Sequence, residues 1–276
     1  MKNAIVTYIY PKAVQFIEVF IENINKIPTQ DIQLIIFNDG LIYDEKLFSK
    51  LCIPYCIIPT GGTINEVRHH SFEYLYENFT EIENMIFQDI DDVFSENRFD
   101  ILIEKLRYNK IVCNDLSSLE NGRLKDLSLW AGRLGNDFEF DHHFIKNKNI
   151  LGLGNTGMKR EVLNIKTFLS NQPAAYDWFY FYQILKLGNI KASFTSECQT
   201  HYMQHTDNIA GVNKEMTADQ LQHIITVKKK QYESLIDLNF NELEEELDKL
   251  NNIKDINPSK IPAQKNFFWW EETETL

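Results

Sequence analysis

Residues 32–40 read IQLIIFNDG, and this stretch points most directly to the fold. From Leu34 to Phe37 every side chain is apolar, and the Asn-Asp-Gly triplet that follows favours a turn. A strand that is apolar on both faces is typical of a parallel sheet, because helices cover both of its sides. We therefore predict a buried strand over 32–37. Further apolar runs predict strands at 4–10, 56–58, 85–87 and 111–113.

Helical patterns separate these predicted strands. Apolar residues between 13 and 24 recur at helical spacing. Thr63 and Glu66 form a Thr-x-x-Glu capping box, which predicts a helix from there to about Asn78. Strands that alternate with helices indicate an α/β fold with a Rossmann-like, mostly parallel central sheet flanked by helices.

The second half of the chain has weaker strand patterns. Residues 120–150 predict a hairpin or loops over one end of the sheet, and 159–163 a short helix. An aromatic helix is expected over 176–187, ended by Gly188. The last part of the chain shows only helical patterns, with capped helices expected at 217–236 and 241–250.

Composition excludes several classes of protein. The chain has 276 residues and a formal net charge of -12, which disfavours nucleic-acid binding. Its four cysteines lack the spacing of a zinc site. No apolar run approaches the ~18 to 20 residues of a membrane-spanning helix. We therefore expect a cytoplasmic protein.

An acidic cluster follows the predicted strand at 85–87, where residues 84–92 read NMIFQDIDD. If the chain stays extended there, Asp89 and Asp91 point to one face and Asp92 to the other. Two carboxylates on one face suit Mg²⁺ or Mn²⁺, and ligands of open α/β sheets bind at this end of the strands. The alternative is an acidic pair in a solvated loop, which is common in a chain with 40 acidic residues.

The order of the motifs resembles the family 2 glycosyltransferases, which have the GT-A fold. The matching segments are the βα start, IIFNDG, GGTINEVRHH, FQDIDD, GLGNTGMKREVL, AYDWFYFYQILKLG and YMQHTDNIAG. They span roughly residues 3 to 211. The resemblance implies a catalytic domain over 1–211 and a C-terminal helical extension with an aromatic tail over 212–276.

The resemblance also implies a metal site and a catalytic base. Asp91 would bind Mn²⁺ or Mg²⁺, Asp89 would support the metal or the ribose, and His205 would complete the metal shell or bind the diphosphate. Asp177 would be the general base that deprotonates the acceptor hydroxyl. The alternative for Asp177 is simple stabilisation of the first turn of its helix.

The resemblance assigns the remaining donor contacts as well. Asn38 and Asp39 would contact the base or ribose, and Arg68, with Asn65 nearby, the nucleotide. Each also has a structural alternative, an Asx turn for the first pair and a surface ion pair for Arg68. Backbone and small polar groups at 154–156 would approach the donor sugar. These residues are Gly154, Asn155 and Thr156, which could equally form only a turn.

Departures from the family pattern leave parts of the function open. Asn38, Tyr176 and Met203 stand where the family usually has two acids and an arginine. The Gln-x-x-Arg-Trp motif of processive members is absent, which favours a single addition. The implied partners are a nucleotide-sugar donor and a glycan or lipid-linked acceptor, with inverting chemistry in cell-surface polysaccharide or glycoconjugate biosynthesis. Rival interpretations are a nucleotidyltransferase and a non-catalytic sugar- or nucleotide-binding scaffold.

The tail carries an aromatic run, because residues 266–270 read NFFWW. We expect it to pack back onto the domain or to form a homo-oligomer contact. An alternative is peripheral contact with the inner face of the membrane, since Trp favours membrane interfaces. The acidic residues that follow argue against an anionic surface.

Overall fold

The computed structural model describes residues 1–27, 31–120, 123–204, 216–262 and 266–276. Its strands are β1 (Asn3–Ile9), β2 (Ile32–Asp39), β3 (Tyr55–Thr60), β4 (Asn84–Phe87), β5 (Val93–Phe94), β6 (Ile111–Glu120), β7 (Arg123–Asp126), β8 (Phe138–Phe140), β9 (Thr156–Lys159) and β10 (Ala192–Met203). Its α-helices are α1 (Ile17–Ile24), α2 (Ile64–Asn78), α3 (Arg98–Leu106), α4 (Ala131–Leu134), α5 (Tyr176–Leu187), α6 (Ala218–Ile236) and α7 (Glu244–Asn251).

A single mixed sheet runs through the molecule in the order β3-β2-β1-β4-β9-β6-β10-β5. The first four strands of this order are parallel, and β10 is parallel to β6. Strand β9 lies antiparallel between β4 and β6. The predicted α/β class, with a mostly parallel central sheet flanked by helices, is confirmed.

The uninterrupted apolar strands are buried on both faces, as their pattern predicts. In β2, Leu34 and Ile36 join the hydrophobic cluster on one side of the sheet, and Ile35 and Phe37 join the cluster on the other. Burying each such side chain stabilises the fold by roughly 1.5–3 kcal/mol. This two-sided burial stabilises the sheet. Because β3, β2, β1 and β4 are parallel, their carboxyl ends lie at one edge.

The C-terminal helices pack onto the same core. Val227 and Leu235 of α6 and Leu250 of α7 belong to the hydrophobic cluster that also contains Val6 and Phe37. The capping box at the start of α6 forms as predicted. The division into domains 1–211 and 212–276 stays a prediction. Residues of both ranges belong to this one cluster. No helix among the described residues is both long enough and apolar enough to cross a membrane.

Several local predictions are wrong. The helix predicted over 13–24 is confirmed only over Ile17–Ile24, as α1, because the chain before it forms a separate 3-10 segment at Pro11–Gln15. The short helix at 159–163 is a 3-10 turn at Arg160–Asn164. The cap predicted at Asn241 is absent, since that residue lies inside a 3-10 turn. The long strand β10 had no clear sequence signal, because polar residues interrupt it.

Candidate functional site

A cleft of about 930 Å³ opens at the carboxyl ends of the parallel strands. Tyr8 at the end of β1 and Asp39 at the end of β2 line one part of it. The acidic turn after β4, helix α2, the turn at 152–155, the start of α5 and the C-terminal tail complete the wall. The predicted site residues that line it are Asp39, Arg68, Asp89, Asp91, Gly154, Asn155 and Asp177.

The acidic segment after β4 is a turn and not a continuation of the strand. The backbone turns at Ile90 and Asp91, and the Asp92 N–H donates to the Asp89 carbonyl oxygen over 3.3 Å. The predicted alternation of the three acids is therefore wrong. Asp92 is buried, and its carboxylate accepts from the Met203 N–H at 2.8 Å.

Gly154 allows the turn at 152–155 to approach the acidic turn closely. A Cβ at this position would lie 2.5 Å from Asp89 Oδ2 and 3.1 Å from Asp92 Oδ2. Any side chain here would push the two carboxylates aside, so a glycine is required by contact rather than by backbone angle. Asp89 and Asp92, which strand alternation would place on opposite faces, therefore both lie close to Gly154.

A buried arginine lies beneath this contact. Arg98 is 1% exposed and donates to Phe87 O, Gly154 O, Gln88 Oε1 and Asn114 Oδ1 at 2.8–3.0 Å. It thus ties the end of β4 to β6 and to the glycine turn. Arg98 had no sequence signal, because it lies at the start of a helix with ordinary surface periodicity.

Burial and mutual repulsion raise the pKa values of two acids in this turn. Burial, followed by the charge of Asp91, raises the pKa of Asp89 to about 7, and Arg68 opposes the shift. Burial and the charges of Asp91 and Asp89 raise the pKa of Asp92 well above its ordinary value. Burial lowers the pKa of Arg98 to about 10. The turn therefore disfavours the charged forms of these two acids, and a nearby cation would favour them.

Asp177 is held from two sides at the opposite wall of the cleft. Its Oδ1 accepts from Arg68 Nη1 at 2.5 Å, and its Oδ2 accepts from the Leu153 N–H at 2.9 Å. Arg68 also lies near the Tyr8 ring, with its Cζ 6.0 Å from the ring centroid. Asp89 and Asp177 both act on the charge of this arginine and raise its pKa against the effect of burial. The two acids thus share one cleft and one cationic neighbour.

Asn38 and Asp39, the predicted nucleotide contacts at the end of β2, have different roles. The Asn38 amide accepts from the Leu41 N–H at 2.8 Å and donates to the Leu41 carbonyl at 3.0 Å. The Asn38 side chain therefore closes the turn at 38–41 and does not line the cleft. Asp39, held in place by that turn, lines the cleft.

Three other predicted residues support the walls or lie away from them. Asn65 donates to the Ser170 and Pro173 carbonyls at 3.0 Å each, which fixes the loop before α5. Asn155 lines the cleft, and its Oδ1 accepts from the Gly152 N–H. Thr156 is fully buried in β9 and does not line the cleft. His205 lies outside the described residues.

The C-terminal tail returns to the cleft and forms part of its wall. Trp269 pairs with Asn149 through two backbone hydrogen bonds, of 2.8 and 3.1 Å. Trp269 and Trp270 both line the cleft. The sequence showed an aromatic run here, but the pairing with residue 149 is long-range and gives no local signal. Trp178 also borders the cleft but is almost fully buried, and its indole N–H donates to the Ile145 carbonyl.

One group of three metal-ligating side chains occurs among the described residues, at Asp141, His142 and His143. None of these lines the cleft. The three carboxylates of the acidic turn do not form such a group in the described part of the chain. A cation at the turn would therefore take some ligands from outside this turn.

No protein-family model matches the chain, and no curated protein matches it by sequence. Its fold is similar to that of S. aureus TarS. The structure of TarS residues 1–349 in complex with UDP-GlcNAc aligns with a TM-score of 0.57 and 16% identity, over 91% of this chain and 70% of that chain. The same fragment in complex with UDP gives 0.54 and 15%, over 91% and 69%. At this identity the likeness shows a shared fold, the mixed α/β architecture with helices on both faces of its sheet.

Proposed function

We propose that the chain is a metal-dependent glycosyltransferase that moves one sugar from a nucleotide-sugar donor to a hydroxyl of a glycan or lipid-linked acceptor. The observation that carries the proposal is the single cleft lined by both Asp91 and Asp177. The similar fold of TarS, solved with UDP-GlcNAc and with UDP, supports a uridine nucleotide as the first donor to test.

The acidic turn fits a divalent cation by its chemistry. Asp89 and Asp91 offer carboxylate oxygens, which are the ligands that Mg²⁺ and Mn²⁺ prefer. Burial and the charge of Asp91 raise the pKa of Asp89 to about 7, and a bound cation would favour the ionised form of this carboxyl. Asp89 and Asp91 would hold the ion, which would stabilise the charge that develops on the departing diphosphate.

Asp177 would act on the acceptor. In the reaction the acceptor oxygen forms a bond to the anomeric carbon, the bond from that carbon to the diphosphate oxygen breaks, and the diphosphate leaves with the bonding electrons. The hydroxyl proton passes to the Asp177 carboxylate. Attack from the face opposite the diphosphate inverts the anomeric centre, which is the outcome we propose. Arg68 and the Leu153 N–H would hold the carboxylate in place during the transfer.

A thermal-shift panel of nucleotides and nucleotide sugars, with and without Mn²⁺, tests the proposal. We expect UDP or another nucleoside diphosphate to raise the melting temperature only when Mn²⁺ is present. Asp91→Asn should abolish the metal-dependent shift. The exposed Asp100 on α3 does not line the cleft, so Asp100→Asn is the matched control and should behave as wild type.

Product analysis separates an enzyme from a scaffold. With the best donor, the wild type should release the nucleoside diphosphate and transfer the sugar, and Asp91→Asn should not. Metal-dependent binding without any donor turnover would favour a non-catalytic scaffold. No nucleotide-induced shift under any condition would overturn the proposed function.

A further inference from the structure

The C-terminal tail is anchored to the main body by polar contacts on both sides of its tryptophans. Arg133 donates to Glu271 through both guanidinium nitrogens, at 2.6 and 2.8 Å, and its Cζ lies 3.7 Å from the centroid of the Phe268 ring. Lys228, which is fully buried, donates to Thr273 Oγ1 and Glu274 Oε1 at 2.7 and 2.8 Å. These contacts make the tail a fixed part of the cleft wall.

These anchors place Trp269 next to the turn that holds Asp177. The edge of the Trp269 ring lies 3.1 Å from the position that a Cβ on Gly152 would occupy, so the ring packs directly on this glycine. The next residue, Leu153, donates its N–H to Asp177. Trp269 is thus adjacent to the backbone that positions the proposed base.

The surroundings of Trp269 suit a sugar ring. The side chain is half-buried and lines the cleft. Its ring centroid lies 6.2 Å from that of Tyr202 and 4.9 Å from that of Trp130, which it meets edge to face. Its indole nitrogen is buried and has no hydrogen-bond partner among the described residues. The nitrogen is enclosed, so the part of the side chain that faces the cleft is its aromatic ring. An aromatic ring matches the apolar face of a pyranose.

We infer that Trp269 is the stacking platform for the sugar ring of a carbohydrate acceptor. This inference rests on the proposed glycosyltransferase function and names the acceptor class as a pyranose rather than a lipid or a peptide hydroxyl. It assigns the tail to acceptor binding and leaves nucleotide binding to the strand ends.

A printed glycan array tests the inference, with the full chain loaded with UDP and Mn²⁺ as the probe state. Trp269→Ala should lower binding to the glycans that wild type recognises by at least about tenfold, equivalent to about 1.4 kcal/mol. Trp269→Phe keeps an aromatic face but not the N–H, and should lose less. Phe267→Ala truncates an aromatic residue of the same tail that does not line the cleft, so it is the matched control and should bind as wild type.

UDP binding, followed by the Mn²⁺-dependent melting shift, separates the possible failures. It should be unchanged in all three variants, which also shows that each one folds. Wild-type glycan binding by Trp269→Ala, or a loss of its UDP binding, would overturn the inference. A wild type that binds UDP but no printed glycan would overturn it too, whereas a wild type that binds no nucleotide would overturn the proposed function instead.

Discussion

Arg68 and Asp177 form an ion pair of 2.5 Å that joins helix α2 to the first turn of α5 across the cleft. Both side chains are mostly buried, with 25% and 19% of their surfaces exposed. The pair positions the carboxylate that we propose as the base, and the Leu153 N–H fixes its other oxygen.

The first prediction concerns Asp177→Asn. The amide keeps the size of the side chain and can still accept from the Leu153 N–H, but it cannot take a proton from an acceptor. We expect the rate of sugar transfer to fall by about 10²–10⁴, the usual worth of general-base catalysis. Nucleotide binding with Mn²⁺ should stay close to wild type in a titration. Transfer at the wild-type rate would remove Asp177 from the mechanism.

The second prediction concerns Gly154→Ala. The new Cβ would lie 2.5 Å from Asp89 Oδ2, so the acidic turn must shift. We expect a loss of about 1–3 kcal/mol in the free energy of unfolding and a weaker Mn²⁺-dependent nucleotide shift. Gly132→Ala on α4 is the control, because nothing lies within 4 Å of its added Cβ and Ala favours helix. Equal behaviour of the two variants would contradict the close contact.

The third prediction concerns the buried Arg98. Arg98→Met removes hydrogen bonds to four groups and leaves Asp92 without its cationic neighbour, whereas Asp89 keeps Arg68. We expect the free energy of unfolding to fall by about 3–5 kcal/mol, measured by urea denaturation. Arg107→Met, an exposed site just after α3, should change it by less than about 0.5 kcal/mol. A small effect at Arg98 would show that the acidic turn does not depend on it.

The fourth prediction is a pH dependence carried by Glu272. Burial, partly offset by Lys228, raises the pKa of this carboxyl from 4.5 to about 7. Between these values the folded chain keeps a proton that the unfolded chain has lost, so this group makes stability fall as pH rises from about 4.5 to 7. Glu272→Gln should therefore be more stable than wild type at pH 8, by up to about 3 kcal/mol, and equal to it near pH 4.

Urea denaturation at a series of pH values measures this effect. The difference between Glu272→Gln and wild type should grow through the interval and level off above pH 7. A difference that is constant with pH would show that Glu272 does not change its protonation there.

Local sequence patterns predicted the part of the fold that local interactions decide. The apolar runs that became β1 and β2 and the capping boxes at Thr63 and Thr217 depend on neighbouring residues alone. Strand β9 has no such signal, because it is four residues long and is fixed by pairing with β4 and β6. Its insertion places the glycine turn beside the acidic turn.

The site was predicted in part for the same reason. Asp91 and Asp177 follow short motifs, and the fold brings both to one cleft. Arg98 supports the cleft wall from the interior and Trp269 lines the cleft. Both are positioned by contacts between residues far apart in the chain, with residue 114 and residue 149 respectively. The face that Asp92 occupies depends on a backbone turn, whereas strand alternation assumed an extended chain.

The buried ammonium of Lys228 limits how far the chain can be shortened. Removing the short 3-10 segment Glu271–Thr275 would leave this cation with one protein partner, the Asn147 carbonyl. An enclosed charge with so little solvation would drive α6 away from its neighbours or draw in water. Deleting this segment should therefore abolish the proposed sugar transfer and not only slow it, because the damage reaches the cleft through Trp269.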